Sequence, residues 1–432
     1  MLSREDNECL TRTGDDTAMG KYFRRFWQPV ALSEELPERD GAPVRLTIMG
    51  EELVAFRDTE GRVGVIDARC PHRGAHMYFG RNEECGLRCV YHGWKFDVSG
   101  AAVDLPNVPP GRALHDTVRI KAYPTREYGD IVWAYMGPET DQLPQIPMLE
   151  FGQVPPESRY VMKQRMDCNW AQIMEGDLDT SHFSFLHMPA PSVASNENPD
   201  APADQRRLRW IRNDPIPQFE LLEHEVGFVV GGARKADGDD LYWRITQYML
   251  PAHGTGPSTF PGETYFGFTL APITDESCWI YAYAWNPDHP VGAEERDKLK
   301  AGHGIMCEVD DNYVPLRNPQ NDFGIDREMQ KSKTYSGVKG LAEQDAMIQY
   351  SQGPVADRTK EILTTTDAAV VRFRSMVIDG AKELAGGSEP VAPQLHAAYR
   401  TRPGSWIAGQ GRSFEDVMLE RFADPLGRVA AE

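Results

Sequence analysis

The chain has 432 residues, of which 41% are hydrophobic and 10% aromatic, so it is long enough for a sizeable core and for two or three domains. Its formal net charge of −19 at pH 7 argues against a general affinity for nucleic acid or anionic lipid, because both polyanions require a basic surface. The opening residues, MLSREDNECL, are acidic where a secretory signal is basic and then apolar, and no apolar stretch of about 18 residues follows. A cytoplasmic protein that spans no membrane is therefore expected.

The N-terminal part of the chain has the pattern of a small β domain. Short β-like runs alternate with Gly, Asp and Asn turn signals, as in VRLTIMG, EELVAFRD, GRVGVID and DIVWAYMG. This pattern predicts an antiparallel β domain over residues 25–140. Residues 1–24 are expected to form a segment that packs on the domain that follows.

A proline-rich stretch, ETDQLPQIPMLEFGQVPPES, separates this region from the rest, because proline disfavours both helix interiors and central strands. It predicts a linker, with a domain boundary near Gly137 and a second domain over residues 141–432. Strands of one antiparallel sheet are expected in FELLEHEVGFVVGGA, DLYWRITQYML, ETYFGFTLAPI and SCWIYAYAWNP.

Helical patterns occur in three places of this second domain. They run from Asp167 to Phe185, resume at Gln344, and resume again from Thr366 to Leu384. Residues 293–340 are charged and are expected to be irregular. Together with the predicted sheet, these patterns indicate an α+β fold.

Two short Cys/His pairs stand out among seven cysteines, an odd number that favours metal or free-thiol roles over disulfides. One residue separates Cys70 from His72, two separate Cys89 from His92, and 16 lie between the pairs. Thiolates and imidazoles suit either zinc or an iron–sulfur cluster. A Cys2His2 zinc site usually pairs like with like, whereas in a Rieske 2Fe–2S centre one iron takes both thiolates and the other both imidazoles. One Cys and one His in each loop therefore favour the cluster.

The sequences of these loops, CPHRGA and CVYHGWKFD, are very similar to the Rieske motif of ring-hydroxylating oxygenases. The imidazole ligands raise the reduction potential of such a cluster, so that a low-potential ferredoxin-like donor can reduce it. Two neighbours in the sequence compete for a ligand role. Cys85 could in principle replace Cys89 in a shifted pair, and His76 lies between the loops, but neither matches the spacing of the motif.

A second constellation lies in NWAQIMEGDLDTSHFSFLH. Asp179 and His182 are three residues apart and would share a helical face. His182 and His187 are five apart, roughly 140° on an ideal helix, so the helix must loosen or end near Phe185 if both bind one ion. The run resembles the mononuclear iron motif of the same family, in which two histidines and a distant carboxylate bind Fe(II) and leave positions open for O2. The resemblance assigns the carboxylate to Asp345, in GLAEQDAMIQYSQGPVADRTKEIL.

Other residues near these motifs are candidates for binding the iron or for supporting its ligands. Three carboxylates compete with Asp345, namely Glu343, Asp357 and Asp367. Asp367 follows a threonine run and is typical of a helix start. Asn169 and Gln172 are candidates for supporting the iron ligands through hydrogen bonds, and Asp177 is expected to be either a solvated acid or another such support. Cys168 is expected to pack in the core.

The resemblance also implies an assembly and a fold. In the family, the residue equivalent to Asp179 links the iron ligand His182 to a cluster histidine of a neighbouring subunit, which here would be His92, because the two centres of one chain are too far apart for fast electron transfer. The family arrangement is a head-to-tail trimer, a closed ring that can stack into a hexamer. The catalytic domain of the family is a helix-grip fold, an antiparallel sheet with long helices. A separate NADH-dependent flavin and iron–sulfur reductase supplies the electrons, which fits the absence of a Gly-rich phosphate loop from this sequence.

The resemblance covers almost the whole chain and is closest to the phthalate dioxygenase group, which acts on aromatic acids, diaryl ethers and aryl methyl ethers. Arg244 alternates with aromatic and threonine side chains on one face of a predicted strand, LYWRITQYML. An inward guanidinium needs an anionic partner, either an internal carboxylate or that of a substrate, which it can hold in bidentate fashion. Arg207, in DQRRLRW, looks like a second clamp for the same substrate.

The expected function is that of a terminal oxygenase that uses O2 to cis-dihydroxylate a phthalate-like aromatic carboxylate. A monooxygenase with the same metals, acting in O- or N-demethylation or in diaryl ether cleavage, is the alternative within the class. An electron-transfer Rieske protein or a zinc-binding protein without oxygenase activity is the alternative from another class. Either would lack the domain that carries His182, His187 and Asp345.

Overall fold

The structure is a computed structural model, and it describes residues 1–421 apart from 110–113, 115, 116, 139, 141, 191, 192, 194–201, 257–259, 261 and 410. Positions 139 and 141 of the predicted linker thus lie outside the described residues. Strands β1 to β19 are Trp27–Leu32, Val44–Ile48, Glu51–Arg57, Val63–Asp67, Arg81–Glu83, Gly86–Arg88, Lys95–Phe96, Ala102–Asp104, Ala122–Tyr123, Thr125–Tyr128, Ile131–Tyr135, Arg159–Met166, Gln218–His224, Gly227–Lys235, Asp240–Met249, His253–Thr255, Tyr265–Thr274, Ser277–Trp285 and Gly404–Gly409. Helices α1 to α9 are Arg4–Thr11, Ala18–Phe23, Trp170–Leu178, Ala203–Asn213, Ala293–Lys300, Arg327–Ser332, Leu341–Ser351, Ala368–Ala385 and Phe414–Arg421.

The N-terminal domain is built from three small antiparallel sheets. Their strand orders are β1-β11-β10, β2-β3-β4-β9 and β5-β6-β7-β8. The four β-like runs recognised in the sequence contain β2, β3, β4 and β11. The tip of the β2–β3 hairpin is hydrogen-bonded to the second domain, since the Met49 N–H donates to the Pro272 carbonyl at 2.7 Å. The two domains are therefore joined by sheet-like contacts as well as by the linker.

The second domain contains one eight-stranded antiparallel sheet, in the order β12-β18-β17-β16-β15-β14-β13, with β19 paired to β15. The four predicted runs all lie in this sheet, so the α+β expectation is confirmed. The run FELLEHEVGFVVGGA, expected as one strand, is a hairpin instead, because it turns where His224 pairs with Gly227. Trp243 and Ile245 of β15 pack with α9, whereas Tyr248 contacts Phe373 of α8 at a ring distance of 5.2 Å. Helices thus cover both faces of β15, as its alternating side chains require.

The predicted helix from Asp167 to Phe185 is shorter than expected. Helix α3 begins after Asn169, whose side chain caps it by accepting from the Ala171 N–H at 3.1 Å, and ends at Leu178. Asp179 is extended, and its carboxylate accepts from the Ser181 N–H at 2.7 Å. Aspartate competes with helix formation through local bonds of this kind. A separate 3-10 turn then covers His182–Ser184.

Residues 293–340 are not uniformly irregular, because α5 and α6 lie within them. Helix α5 has Glu294 and Glu295 in its first turn and Lys298 and Lys300 in its last. This order of charges stabilises the helix, because each pair interacts favourably with its end of the helix dipole. Only Leu299 of this helix is buried. The helix was missed because it has no apolar periodicity.

The first 24 residues contact the second domain, chiefly α8. The Trp170 indole donates to the Leu10 carbonyl at 3.1 Å, and the Asn169 amide donates to the Thr11 carbonyl at 2.9 Å. One continuous core joins both domains, and a smaller core surrounds Cys70 and Cys89. Among the described residues, no helix has the length and apolarity needed to cross a membrane.

Candidate metal centres and active-site cavity

Two loops of the N-terminal domain share one hydrogen-bond design. In each loop, the cysteine N–H donates a hydrogen bond to the carbonyl of the residue five positions later. Cys70 donates to Ala75 at 2.9 Å, and Cys89 donates to Trp94 at 2.8 Å. The fifth residue of each loop, Gly74 or Gly93, has a φ of +72° or +78°. This left-handed conformation favours glycine. The two loops therefore present their cysteines and histidines in matching ways.

These four side chains form a compact donor set. Cys70 is 1% exposed and Cys89 is 3% exposed. The His72 and His92 rings are 4.4 Å apart, and His72 also stacks on Trp94 at 4.4 Å. The Nδ1 atom of His72 is buried and has no hydrogen-bond partner in the described structure. A buried polar atom without a partner is costly, and a 2Fe–2S cluster bound through this nitrogen would remove that cost.

The two competing residues of this region are occupied elsewhere. His76 accepts a hydrogen bond from the Tyr78 N–H through Nδ1 at 3.1 Å and so caps a 3-10 turn. Cys85 lies in the turn between β5 and β6 with a φ of +59°, and its N–H donates to Thr59. Its thiol lies near Asp58 and Glu60, not in the donor set described above.

A second donor set lies in the C-terminal domain. His182 and His187 lie in the segment after α3, Asp345 lies on α7, and the ligand atoms of all three are within 4.8 Å of one another. The Nε2 atoms of the two histidines are 3.0 Å apart. Oδ1 of Asp345 lies 3.1 Å from Nε2 of His187 and 3.6 Å from Nε2 of His182. An octahedral ion that binds nitrogen and oxygen at about 2.1 Å holds neighbouring ligands about 3.0 Å apart. Two imidazoles and one carboxylate on one side of an open position are the ligands that suit non-haem Fe(II).

Both imidazoles are oriented from behind by an oxygen atom. Asp179 Oδ2 is 3.5 Å from Nδ1 of His182, and Gln344 Oε1 is 2.7 Å from Nδ1 of His187. Burial alone would raise the pKa of Asp179, but its hydrogen bond to His182 keeps that pKa below the usual value. A proton held on Nδ1 leaves Nε2 free for a metal. Gln344 was missed in the sequence, where its only signal is its place next to Asp345.

The other carboxylates considered as iron ligands have different partners. Glu343 pairs with Arg317 at 2.8 Å. Asp357 accepts from the Thr359 hydroxyl, and Asp367 accepts from the Thr364 N–H at 2.6 Å, as expected of a helix start. Asp345 is the carboxylate that the fold places beside the two histidines.

Neither Asn169 nor Gln172 supports the iron ligands, which corrects the expectation. Asn169 caps α3 and binds the N-terminal segment, whereas the Gln172 amide donates to the Gln349 and Gly353 carbonyls. Asn169 lies just before α3 and Gln172 lies in its first turn, and both side chains are buried. Cys168 is fully buried in the main core.

A small cavity of about 80 Å³ adjoins the second donor set. Two of its walls are the candidate iron ligands His182 and Asp345. Asp177, expected to be either solvated or a support for the ligands, also lines the cavity, and burial raises its pKa well above the usual value. The remaining lining residues are Gln164, Met166, Ile173, Gly176, Phe183, Phe268, Ile280, Ile305, Leu341, Ala342 and Gln349.

The two predicted substrate arginines differ in their surroundings. Arg207 pairs with Glu263 at 3.1 Å and is 27% exposed. Arg244 is 2% exposed, and all three of its guanidinium nitrogens lack a hydrogen-bond partner in the described structure. Burial lowers the pKa of Arg244 to about 9. Its guanidinium lies 3.5 Å from the ring of Phe183, which lines the cavity, so that Arg244 is next to the cavity but not part of its wall.

Two family models match consecutive parts of the chain. The Rieske [2Fe-2S] domain model matches residues 26–124, and the model described as LigXa C-terminal domain like matches residues 134–401. The chain belongs to the Rieske non-haem iron oxygenases and corresponds to their α, or oxygenase, subunit.

Among similar proteins are oxygenases with different reactions. The phthalate 4,5-dioxygenase oxygenase subunit of Pseudomonas putida is 38% identical over 90% of this chain and 89% of its own. The 3-chlorobenzoate-3,4-dioxygenase oxygenase subunit of Comamonas testosteroni is 34% identical over 98% and 99% of the two chains. The 5,5'-dehydrodivanillate O-demethylase oxygenase subunit of a Sphingobium species is 30% identical over 91% and 83%. In fold, dicamba monooxygenase bound to dicamba matches with a TM-score of 0.59 and 18% identity, covering 84% of this chain and 99% of its own.

Proposed function

We propose that this oxygenase cis-dihydroxylates an aromatic carboxylate of the phthalate type. Both atoms of O2 enter the ring to give a dihydrodiol, and NADH supplies the electron pair through a separate reductase. The observation that carries the proposal is the buried guanidinium of Arg244, which lacks an anionic partner among the described residues. An unpaired buried charge is strongly unfavourable, and a substrate carboxylate can satisfy it with two parallel hydrogen bonds.

The residues around Arg244 limit how such a substrate enters. Phe183 contacts both the guanidinium and the cavity, so its ring must turn aside for a carboxylate to reach Arg244. Arg207 already has Glu263 as a partner and would have to exchange it to act as a second clamp. Arg244 therefore contributes most of the carboxylate recognition, and the apolar wall of the cavity holds the ring beside His182 and Asp345.

When bound, the 2Fe–2S cluster would pass on the electrons from the reductase and the mononuclear iron would activate O2. Cys70, His72, Cys89 and His92 would hold the 2Fe–2S cluster, and His182, His187 and Asp345 would hold Fe(II). The chain itself orients the ligand imidazoles through Asp179 and Gln344.

The proposal includes a head-to-tail trimer or a hexamer of two stacked trimers. In either assembly, Asp179 links the iron site of one subunit to the cluster of its neighbour. Asp179 supports this arrangement because it lines an open groove together with the candidate iron ligands His182 and Asp345. Next to the cluster ligand His92, the side chains of Val90 and Tyr91 are 58% and 53% exposed. Exposed apolar side chains of this kind are typical of a protein interface.

The test uses the purified chain loaded with iron and sulfide, a surrogate reductase, and labelled O2. A dihydrodiol with two labelled oxygen atoms is expected from phthalate or a related acid. Arg244→Ala should weaken binding of the carboxylate by roughly 10–100-fold, because a charged hydrogen bond is lost. Arg209→Ala is the matched control. Arg209 lies on the same helix as Arg207 and already pairs with Asp237 at 2.5 Å. Unchanged affinity of Arg244→Ala for every carboxylate tested would contradict the proposal.

A monooxygenase is the second candidate, and the similarity to an O-demethylase subunit favours it. It would give a phenol that keeps the unlabelled ether oxygen and an aldehyde that carries one labelled oxygen atom, in place of the diol. The same experiment therefore separates the two reactions.

A further inference from the structure

Asp177 is the polar group of the cavity whose chemistry the proposed function leaves unused. It lies on α3, and its Oδ2 atom is buried without a hydrogen-bond partner in the described structure. Strand β16 covers this oxygen so closely that a Cβ atom on Gly254 would come within 2.8 Å of it. Because no described group donates to this oxygen, a molecule inside the cavity can give the carboxyl group the partner that it lacks.

The other lining groups do not offer that partner. The Gln164 side chain already accepts from the Cys307 N–H at 2.7 Å, and His182 and Asp345 are directed at the metal position. Gln349 also lines the cavity but forms no hydrogen bond with Oδ2 of Asp177, and most of the remaining wall is apolar, including Ile173 and Phe268. The cavity is thus an apolar slot with one unsatisfied carboxyl group near its metal end.

Arg244 and Asp177 influence each other electrostatically, yet no hydrogen bond joins them. Phe183 lies against Arg244 and also lines the cavity, whereas Asp177 faces the cavity directly. The Arg244 guanidinium and the Oδ2 atom of Asp177 each lack a hydrogen-bond partner among the described residues. A single ligand satisfies both if it is anionic at one end and donates a hydrogen bond at the other.

We infer that Asp177 recognises a hydrogen-bond-donating substituent, a hydroxyl or an amino group, on the ring of the substrate. This inference rests on the proposed function for the carboxylate, and it narrows the substrate class to hydroxy- or amino-substituted aromatic carboxylates. A hydroxyl suits the carboxyl group because it donates to a carboxylate and can also accept from a carboxylic acid. Asp177 is thus a specificity-determining residue, and a ring that carries only carboxylates leaves it without a donor.

The test measures binding by calorimetry to the iron-loaded protein, using matched pairs of ligands. Each pair is a hydroxy- or aminobenzoate and the methoxy- or unsubstituted benzoate of the same pattern. The wild type should prefer the donor-bearing member by roughly 10–100-fold, the effect of one hydrogen bond to a charged group. Asp177→Leu should abolish that preference, and Asp177→Asn should reduce it. Asp167→Asn, an exposed carboxylate just before α3, is the matched control and should leave the preference unchanged.

Iron content and cluster absorbance report whether each variant is correctly assembled. If Asp177→Leu fails to hold iron, Asp177→Asn alone decides the outcome. A wild-type protein without preference within any pair, or an Asp177 variant that keeps the full preference, overturns the inference. Carboxylates oxidised in an Arg244-dependent manner without any effect of Asp177 would leave the proposed function standing. If the preference depends on Asp177 but also appears among rings without a carboxylate, the role of Asp177 is supported and the proposed carboxylate substrate is contradicted.

Discussion

The two imidazoles of the mononuclear site show how single residues prepare a metal site. Asp179 lies behind His182 and Gln344 lies behind His187, and both supply an oxygen atom to Nδ1. Gln344 is itself fixed, because its amide nitrogen donates to the Val338 carbonyl at 2.8 Å. Partners of this kind set the tautomer and the direction of a ligand ring.

Gln344→Ala is therefore expected to weaken iron binding at the mononuclear site by roughly 10–100-fold. The cluster should remain, since its ligands lie in the other domain. Iron titration followed by activity would measure the change, with cluster absorbance as an internal standard. Gln352→Ala, at the exposed end of the same helix, should bind iron like the wild type. Equal iron affinity in both variants would show that His187 needs no such support.

At the scale of elements, helix α3 is positioned by a buried ion network near its end. Glu175 accepts from Arg358 at 2.7 Å and from Arg374 of α8 at 2.7 Å. The two arginines are 1% and 4% exposed. Burial alone would raise the pKa of Glu175, but the two guanidinium groups hold it below its usual value. The network ties α3, which carries Asp177 and precedes the iron ligands, to the longest helix of the domain.

Glu175→Gln should lower the free energy of unfolding by about 3–5 kcal/mol, because it leaves the buried Arg358 without its carboxylate and Arg374 with Glu361 alone. Glu389→Gln removes the partner of Arg25 at a carboxylate that is 64% exposed, and it should cost about 1 kcal/mol or less. Denaturant midpoints of the two variants, measured side by side, compare these costs. Similar losses in both would mean that the buried network contributes no more than a surface pair.

For the whole molecule, buried histidines make stability depend on pH. Burial lowers the pKa of His253 to about 3 and that of His224 to about 4. Both rings thus stay neutral in the folded protein at pH 5, whereas the unfolded chain takes up protons below about pH 6.5. The unfolded state then binds more protons, so stability falls as the pH drops from about 6.5 to about 4.

Each histidine should cost about 2 kcal/mol of stability between pH 6.5 and pH 5. Denaturant midpoints recorded from pH 7 to pH 5 would show this decline. His224→Gln should make the decline smaller, because glutamine takes up no proton. The same change at the exposed His303 should leave the decline as it is. A decline of equal size in all three proteins would contradict the assignment to buried histidines.

The sequence by itself determined the ligand types, the antiparallel β segments and the family. Cys70, His72, Cys89 and His92 lie in two short local loops, so their spacing already carries most of their geometry. Strand segments were also recognisable, because alternation is a local property of the chain. The end of α3 at Leu178 was not, because a local bond from Ser181 to Asp179 overrides the helical pattern.

Only the tertiary structure decided which distant groups meet. It placed Asp345 beside two histidines more than 150 residues away in sequence, and it put Gln344 rather than Asn169 or Gln172 behind a ligand. It also left Oδ2 of Asp177 and the Arg244 guanidinium buried without hydrogen-bond partners among the described residues. The physical reason is that burial and partner choice depend on which elements pack together, and the eight-stranded sheet and the helices around it bring together residues that no local pattern connects.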